Sequence, residues 1–141
     1  MNSKVTVLGA GLMGHGIAQV AAQVGGYEVS LLDVKQEFLD RGLTMIKGSL
    51  AKFVAKGTLT QKEADAAFAR IHPTLNLKDA VRGSDLIIEA ASEDPKLKLD
   101  LFKSVPDLIE GNVVLGSNTS SISITLLGGA TKYPENVCGM H

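Results

Sequence analysis

A chain of 141 residues, 45% hydrophobic and 21% charged, can bury one sizeable core, which excludes a disordered segment and sets the expectation of one domain. A net charge of −1, with four Phe and two Tyr scattered along the chain, excludes a basic nucleic-acid surface, and the single cysteine, Cys138, excludes an intramolecular disulfide framework. The lone thiol reads as a small buried apolar group in a reducing compartment; with no room for a signal peptide before the first strand, and no apolar run approaching the ~18 residues of a membrane span, the expected location is cytoplasmic.

The first element is an apolar, β-branched run from Lys4 to Leu8, suited to a strand buried on both faces of a parallel sheet. Gly9, Gly11 and Gly14 follow in a Gly-x-Gly-x-x-Gly arrangement, and Ile17, Val20, Ala21 and Val24 then recur at helical spacing. The three glycines act differently. Gly9 permits a tight turn, Gly11 lets a pyrophosphate reach the backbone, and Gly14 lets the helix lie close to the strand. The N–H groups and positive dipole end of that helix would face the anionic phosphates. Glycine spacing alone is a weak signal. It gains weight from the second apolar strand, Tyr27 to Leu32, which ends in Asp33, within the window of about 20 residues where an acid meets the ribose diol. A carboxylate there accepts bonds from the diol and repels a 2′-phosphate, which favours NAD over NADP; the other reading of Asp33 is a cap for the next helix.

Gln36 to Lys56 spaces Leu39, Leu43, Ile46, Leu50 and Phe53 as a long amphipathic helix that stops at Gly57. Thr60 and Glu63 form a capping box opening a second helix with Ala64, Ala67, Phe68 and Ile71 on one side. The two make a helical hairpin where a plain dinucleotide fold needs one crossover helix. Ile71 to Leu75 is a short strand whose Pro73 favours an edge, and Asn76 caps a brief helix from Leu77 to Val81 before the turn at Arg82, Gly83 and Ser84. Asp85 to Ala90 is a buried strand. Asp94 and Pro95 open a helix to about Val105, and Asn112 to Ser117 is a strand ending in the polar loop Asn118 to Ser121; Asn136 to His141 reads as a last strand. The fold class expected from this alternation is α/β: a doubly wound, Rossmann-type, mostly parallel sheet with an inserted helical hairpin.

Taken together, the glycine turn from Gly9 to Ala18, Asp33, the hairpin, Glu89-Ala-Ala-Ser-Glu93, Ser117-Asn-Thr-Ser-Ser121 and the closing Gly139-Met-His141 resemble the NAD-binding domain of the 3-hydroxyacyl-CoA dehydrogenases, including the 3-hydroxybutyryl-CoA dehydrogenases. The resemblance implies oxidation of the 3-hydroxyl of an acyl-CoA with NAD, and a helical carboxyl-terminal domain that dimerises. That second domain is absent from these residues, so the sequence is expected to be the front part of a longer enzyme, truncated at its catalytic histidine.

Residue by residue, the resemblance assigns Gly9, Gly11, Leu12, Met13, Gly14 and Asp33 to the cofactor, and Glu93, Lys98 and Ser120 to its nicotinamide half. It gives coenzyme A to Ser49 and Lys56, which stand seven residues apart on one helix face. His141 becomes the base that withdraws the hydroxyl proton, and Ser120 the hydroxyl that holds substrate oxygen. Plainer readings stay open at several positions: a solvated surface pair for Ser49 and Lys56, an ordinary i,i+5 charge pair for Glu93 and Lys98, and a helix cap for Ser120. His15 reads as a partly exposed first-turn residue and His72 as structural, and no His, Cys and acid cluster has metal-ligand spacing. Two other classes share these features: a dehydrogenase of small hydroxy acids or sugar acids, and a non-catalytic dinucleotide-binding module.

Overall fold

The computed structural model describes residues 3–91, 95–109, 113–118 and 136–139. Apolar strands alternate with helices: β1 (Lys4–Leu8), α1 (Leu12–Gln23), β2 (Glu28–Leu32), α2 (Gln36–Ala55), α3 (Gln61–Ala69), β3 (Ile71–Thr74), α4 (Leu77–Val81) and β4 (Leu86–Glu89). Then come α5 (Pro95–Ser104), a 3₁₀ turn (Val105–Leu108), β5 (Val114–Ser117) and β6 (Val137–Gly139). The strands form one six-stranded sheet in the order β3-β2-β1-β4-β5-β6, with every pairing parallel. From β1 the chain winds outward to β3, then returns across to β4 and winds the other way. This is the doubly wound topology, and its switch point lies between β1 and β4.

Parallel strands need cover on both faces, and two apolar layers supply it. Val5, Val7, Val29 and Leu31 pack with Ala18, Ala22, Leu39, Ile46, Leu50, Ala64 and Ala67, which puts α1 and the α2–α3 hairpin over one face. Leu8, Leu32, Ile87 and Leu115 pack with Ala80, Val81, Phe102 and Val105 under α4 and α5 on the other. The face that α1 turns inward is not its most apolar one. Gly14, Ala18, Gln19 and Ala22 are buried, whereas Val20 and Val24 are exposed. Small residues are required there because the start of α1 lies close to the turn before it: a Cβ on Gly14 would stand 1.8 Å from the Gly9 carbonyl oxygen.

The hairpin forms for local reasons. At the end of α2 the Gly57 N–H donates to the Val54 carbonyl and the Thr58 N–H to the Phe53 carbonyl, with Gly57 at φ 77°, the left-handed geometry that favours glycine. Thr60 then accepts from the Glu63 N–H at 3.1 Å while the Glu63 carboxylate accepts from the Thr60 N–H at 2.9 Å, the reciprocal box expected there. On the other side of the sheet, Lys4 donates to the carbonyls of Arg82 (2.5 Å) and Asp79 (3.5 Å) at the end of α4. Burial lowers the pKa of this ammonium from the ordinary lysine value; Arg82 adds to the effect and Asp79 opposes it.

Several boundaries shift. Tyr27, Asp85 and Ala90 flank strands rather than belong to them, Lys56 caps α2 rather than ending it, and Ile71 is the first residue of β3 rather than part of α3. Cys138 is half-buried rather than buried. Asp94, Asn112, the loop after Asn118 and the segment after Gly139 lie outside the described residues.

Candidate functional site

The carboxyl ends of β1, β2, β4 and β5 open into a cleft of about 540 Å³. Leu8 to Met13 form its centre, Leu32, Asp33, Val34, Phe38 and Arg41 one end, and Ala90, Ala91, Leu97, Leu101 and Asn118 the other. A crevice outside the carboxyl edge at the switch point is where doubly wound sheets bind their ligands.

The glycine turn shows why each glycine stands where it does. Gly9 has φ 111°, and its N–H donates to the Leu32 carbonyl at 2.7 Å; a Cβ there would come 2.7 Å from the Ala90 carbonyl oxygen. A Cβ on Gly14 would fall 1.8 Å from the Gly9 carbonyl oxygen. Gly11 differs: a Cβ on it would meet nothing within 4 Å, because that side faces the cleft. Gly11 is also the N-cap of α1 and provides no side-chain cap, and no acid occupies the first turn. The helix therefore presents uncapped N–H groups and its positive dipole end to an open space that a side chain would fill, a fit to the pyrophosphate of a dinucleotide. Leu12 and Met13 line the same cleft, exposed at its rim.

Asp33 is held from two sides. Its Oδ2 accepts from the Ala10 N–H at 2.8 Å and its Oδ1 from the Val34 N–H at 2.7 Å, which ties the end of β2 to the glycine turn and sets the carboxylate in the cleft wall. It does not cap α2, whose N-cap is Lys35. Arg41, to which no sequence motif points, projects from α2 into the same end of the cleft. In the sequence it is marked only by its place in the second turn of the helix that follows Asp33.

At the opposite end, Lys98 is 1% exposed and lies on Glu89, equally buried, with Nζ 2.9 Å from Oε1 and 2.7 Å from Oε2. Ser117 donates to Oε1 at 2.7 Å and the Ala91 N–H to Oε2 at 2.7 Å. Glu89 had no role of its own in the sequence reading beyond being part of a motif. The clue was the one that singled out Asp33, an acid closing an apolar strand. Glu93, the partner considered for Lys98, lies outside the described residues, as do Ser120 and His141.

The two coenzyme A candidates do not line this cleft. Ser49 is half-buried on α2 and accepts from Gln19 of α1 at 2.9 Å, while Lys56 is exposed at the end of that helix. Gln19 is a second residue that the sequence reading missed. Of the histidines, His15 sets Nδ1 2.7 Å from the Gly11 carbonyl oxygen, and His72 meets Glu28 at 2.8 Å on the sheet surface.

Comparison with known proteins adds to this geometry. A family model described as "3-hydroxyacyl-CoA dehydrogenase, NAD binding domain" matches residues 4–141. A probable 3-hydroxybutyryl-CoA dehydrogenase of Deinococcus radiodurans is 47% identical over 98% of this chain and 49% of its own length. A fatty acid oxidation complex subunit alpha of Psychrobacter cryohalolentis is 42% identical over 99% of this chain and 19% of its own length. The crystal structure of (S)-3-hydroxybutyryl-CoA dehydrogenase from Ralstonia eutropha superposes with a TM-score of 0.94 at 36% identity, covering 100% of this chain and 49% of that one. The chain thus spans about half the length, or less, of the curated relatives it matches.

Proposed function

This chain belongs to the 3-hydroxyacyl-CoA dehydrogenase family as its NAD-binding domain, and from that premise we propose that it serves the oxidation of a (3S)-3-hydroxyacyl-CoA to the 3-oxoacyl-CoA in fatty-acid or butanoate metabolism. The observation that carries the proposal is the cleft in which an uncapped helix end, with Gly11 leaving room beside it, stands next to the doubly anchored Asp33. Bound NAD would supply the hydride acceptor for C3. The residues of this chain do the rest. The first-turn N–H groups of α1 hold the phosphates, and Asp33 accepts from the ribose diol. By resemblance, His141 takes the 3-hydroxyl proton as the C3–H bond breaks, Ser120 bonds the substrate oxygen, and Glu93 and Lys98 serve the nicotinamide side. Ser49 and Lys56 are proposed to hold coenzyme A. The proposal includes a cytoplasmic location and action as a homodimer.

Cofactor choice tests the assignment of Asp33. Calorimetric titration should give NAD an affinity on the order of tenfold or more above that of NADP, because a 2′-phosphate would face a carboxylate. Asp33→Asn removes that repulsion and keeps Arg41 on the same rim, so NADP affinity should rise toward that of NAD. Equal affinities in the unaltered protein would end the role given to Asp33. For Lys56, Lys56→Ala in the complete protein should raise KM for acyl-CoA several-fold and leave kcat nearly intact, the mark of lost uniform binding. An unchanged KM would return Lys56 to the solvated surface.

A further inference from the structure

Beneath the β4–β5 end of the cleft, one carboxylate gathers groups from three separate elements. Glu89 closes β4 at 1% exposure, and its two oxygens accept from Lys98 of α5, Ser117 of β5 and the N–H of Ala91 in the loop that follows β4. A charge so buried is stable only when its lone pairs are met, and here four hydrogen bonds meet them. Lys98 also reaches the Ala91 carbonyl at 3.4 Å, and the Glu89 carbonyl accepts the Asn118 N–H at 2.8 Å. Each element tied to Glu89 in this way borders the ligand space. Ala90, Ala91 and Asn118 line the cleft directly, and the Ala90 carbonyl is the group against which Gly9 is packed.

We propose that Glu89 is a positioning residue of the dinucleotide site: by drawing Lys98, Ser117 and Ala91 onto one buried carboxylate, it sets the half of the cleft that receives the nicotinamide riboside. The inference rests on the dinucleotide reading above and adds a division of labour to it. Asp33, Arg41 and the β2 end would hold the adenosine half, and the glycine turn would hold the phosphates. The cluster under β4 and β5 would govern only the remaining half. A cluster with a purely structural role would have no such directional effect on binding.

The test uses NADH and ADP-ribose, which share the adenosine and phosphate groups and differ in the nicotinamide. Both are titrated into the unaltered chain, into Glu89→Gln, which keeps the Lys98 ammonium and so separates the role of Glu89 from any direct contact of Lys98, and into Glu89→Gln/Lys98→Met, which replaces the charged pair with neutral groups of similar size; circular dichroism and a urea melt check the fold of each. NADH affinity should fall roughly tenfold, with ADP-ribose affinity held within about twofold. The rise in nicotinamide fluorescence on NADH binding should shrink as well, since it reports the surroundings of that ring alone. Equal loss of both ligands would make the cluster merely structural, and equal retention of both would make it irrelevant to the site; either result overturns the inference. Failure of the unaltered chain to bind either ligand would instead overturn the dinucleotide reading on which the inference stands.

Discussion

Gly14→Ala should cost about 3 kcal/mol or more of stability and abolish dinucleotide binding, whereas Gly11→Ala should cost within about 1 kcal/mol and remove binding alone. The contrast follows from where each new methyl lands. At Gly14 it falls 1.8 Å from the carbonyl oxygen of Gly9, a backbone atom that no rotamer change can move aside. Relief requires α1 to lift from β1, and with it the buried contacts of Ala18 and Ala22. Overpacking of a flexible side chain typically costs about 1–3 kcal/mol, so a backbone collision belongs at or above the top of that range. At Gly11 the backbone is extended and the methyl meets nothing. The residual cost there is that of alanine as a poorer N-cap, while the methyl occupies the space the pyrophosphate needs. Urea denaturation and calorimetric titration with NAD separate the two effects. A Gly14→Ala protein as stable as the parent would show that α1 and the turn do not approach as closely as described.

Lys98→Ala should destabilise the domain by about 3–5 kcal/mol, the cost of stranding a buried carboxylate by removing its counter-charge. Glu89 would keep the Ser117 hydroxyl and the Ala91 N–H but lose its cation, and at 1% exposure it has no water to turn to. The double change Glu89→Gln/Lys98→Met should recover most of that loss, because neutral groups of similar volume remove the desolvation cost together with the attraction. A double-mutant cycle of Glu89→Gln, Lys98→Met and the two together, read on urea midpoints, measures the coupling. If the costs of Glu89→Gln and Lys98→Met simply added in the double change, the ion pair would carry no coupling energy, and the cluster around Glu89 would not hold its elements together.

Much of this architecture could be read from the chain because its signals are local. The capping box at Thr60, the stop at Gly57, the cap at Asn76 and the apolar strands Lys4–Leu8 and Leu86–Glu89 depend on residues within a few positions of each other. What could not be read depends on approach in space. The outward turn of Val20 and Val24 follows from α1 pressing a stripe of small residues against the sheet and α2, a requirement that hydrophobicity alone does not express. Lys98 carries a charge-pair reading toward Glu93, which lies outside the described residues; the carboxylate it meets among the described residues is Glu89, on the strand before its helix. Ser49 reads in the sequence as a coenzyme A contact or a solvated surface hydroxyl, and nothing local in the sequence marks Gln19 of α1, which donates to it at 2.9 Å. Asp33 was legible because a strand end followed by a turn fixes where its carboxylate sits, and the bonds from Ala10 and Val34 are its anchors.

Pro73 gives the outermost strand a property that matters when many copies of the chain are present together. In the parallel ladder the Arg70 carbonyl accepts from Val29, so residues 70, 72 and 74 turn their backbone toward β2, while 71 and 73 turn theirs away. Among the described residues, β3 is the end of the sheet on that side, and the outward site at 73 has no N–H to offer. A strand from another molecule docking there would find its ladder interrupted after Ile71, beside a His72–Glu28 pair that keeps the margin polar. The domain thus ends its sheet in a form that discourages edge-to-edge aggregation, a protection most valuable during synthesis, when newly made chains are crowded together.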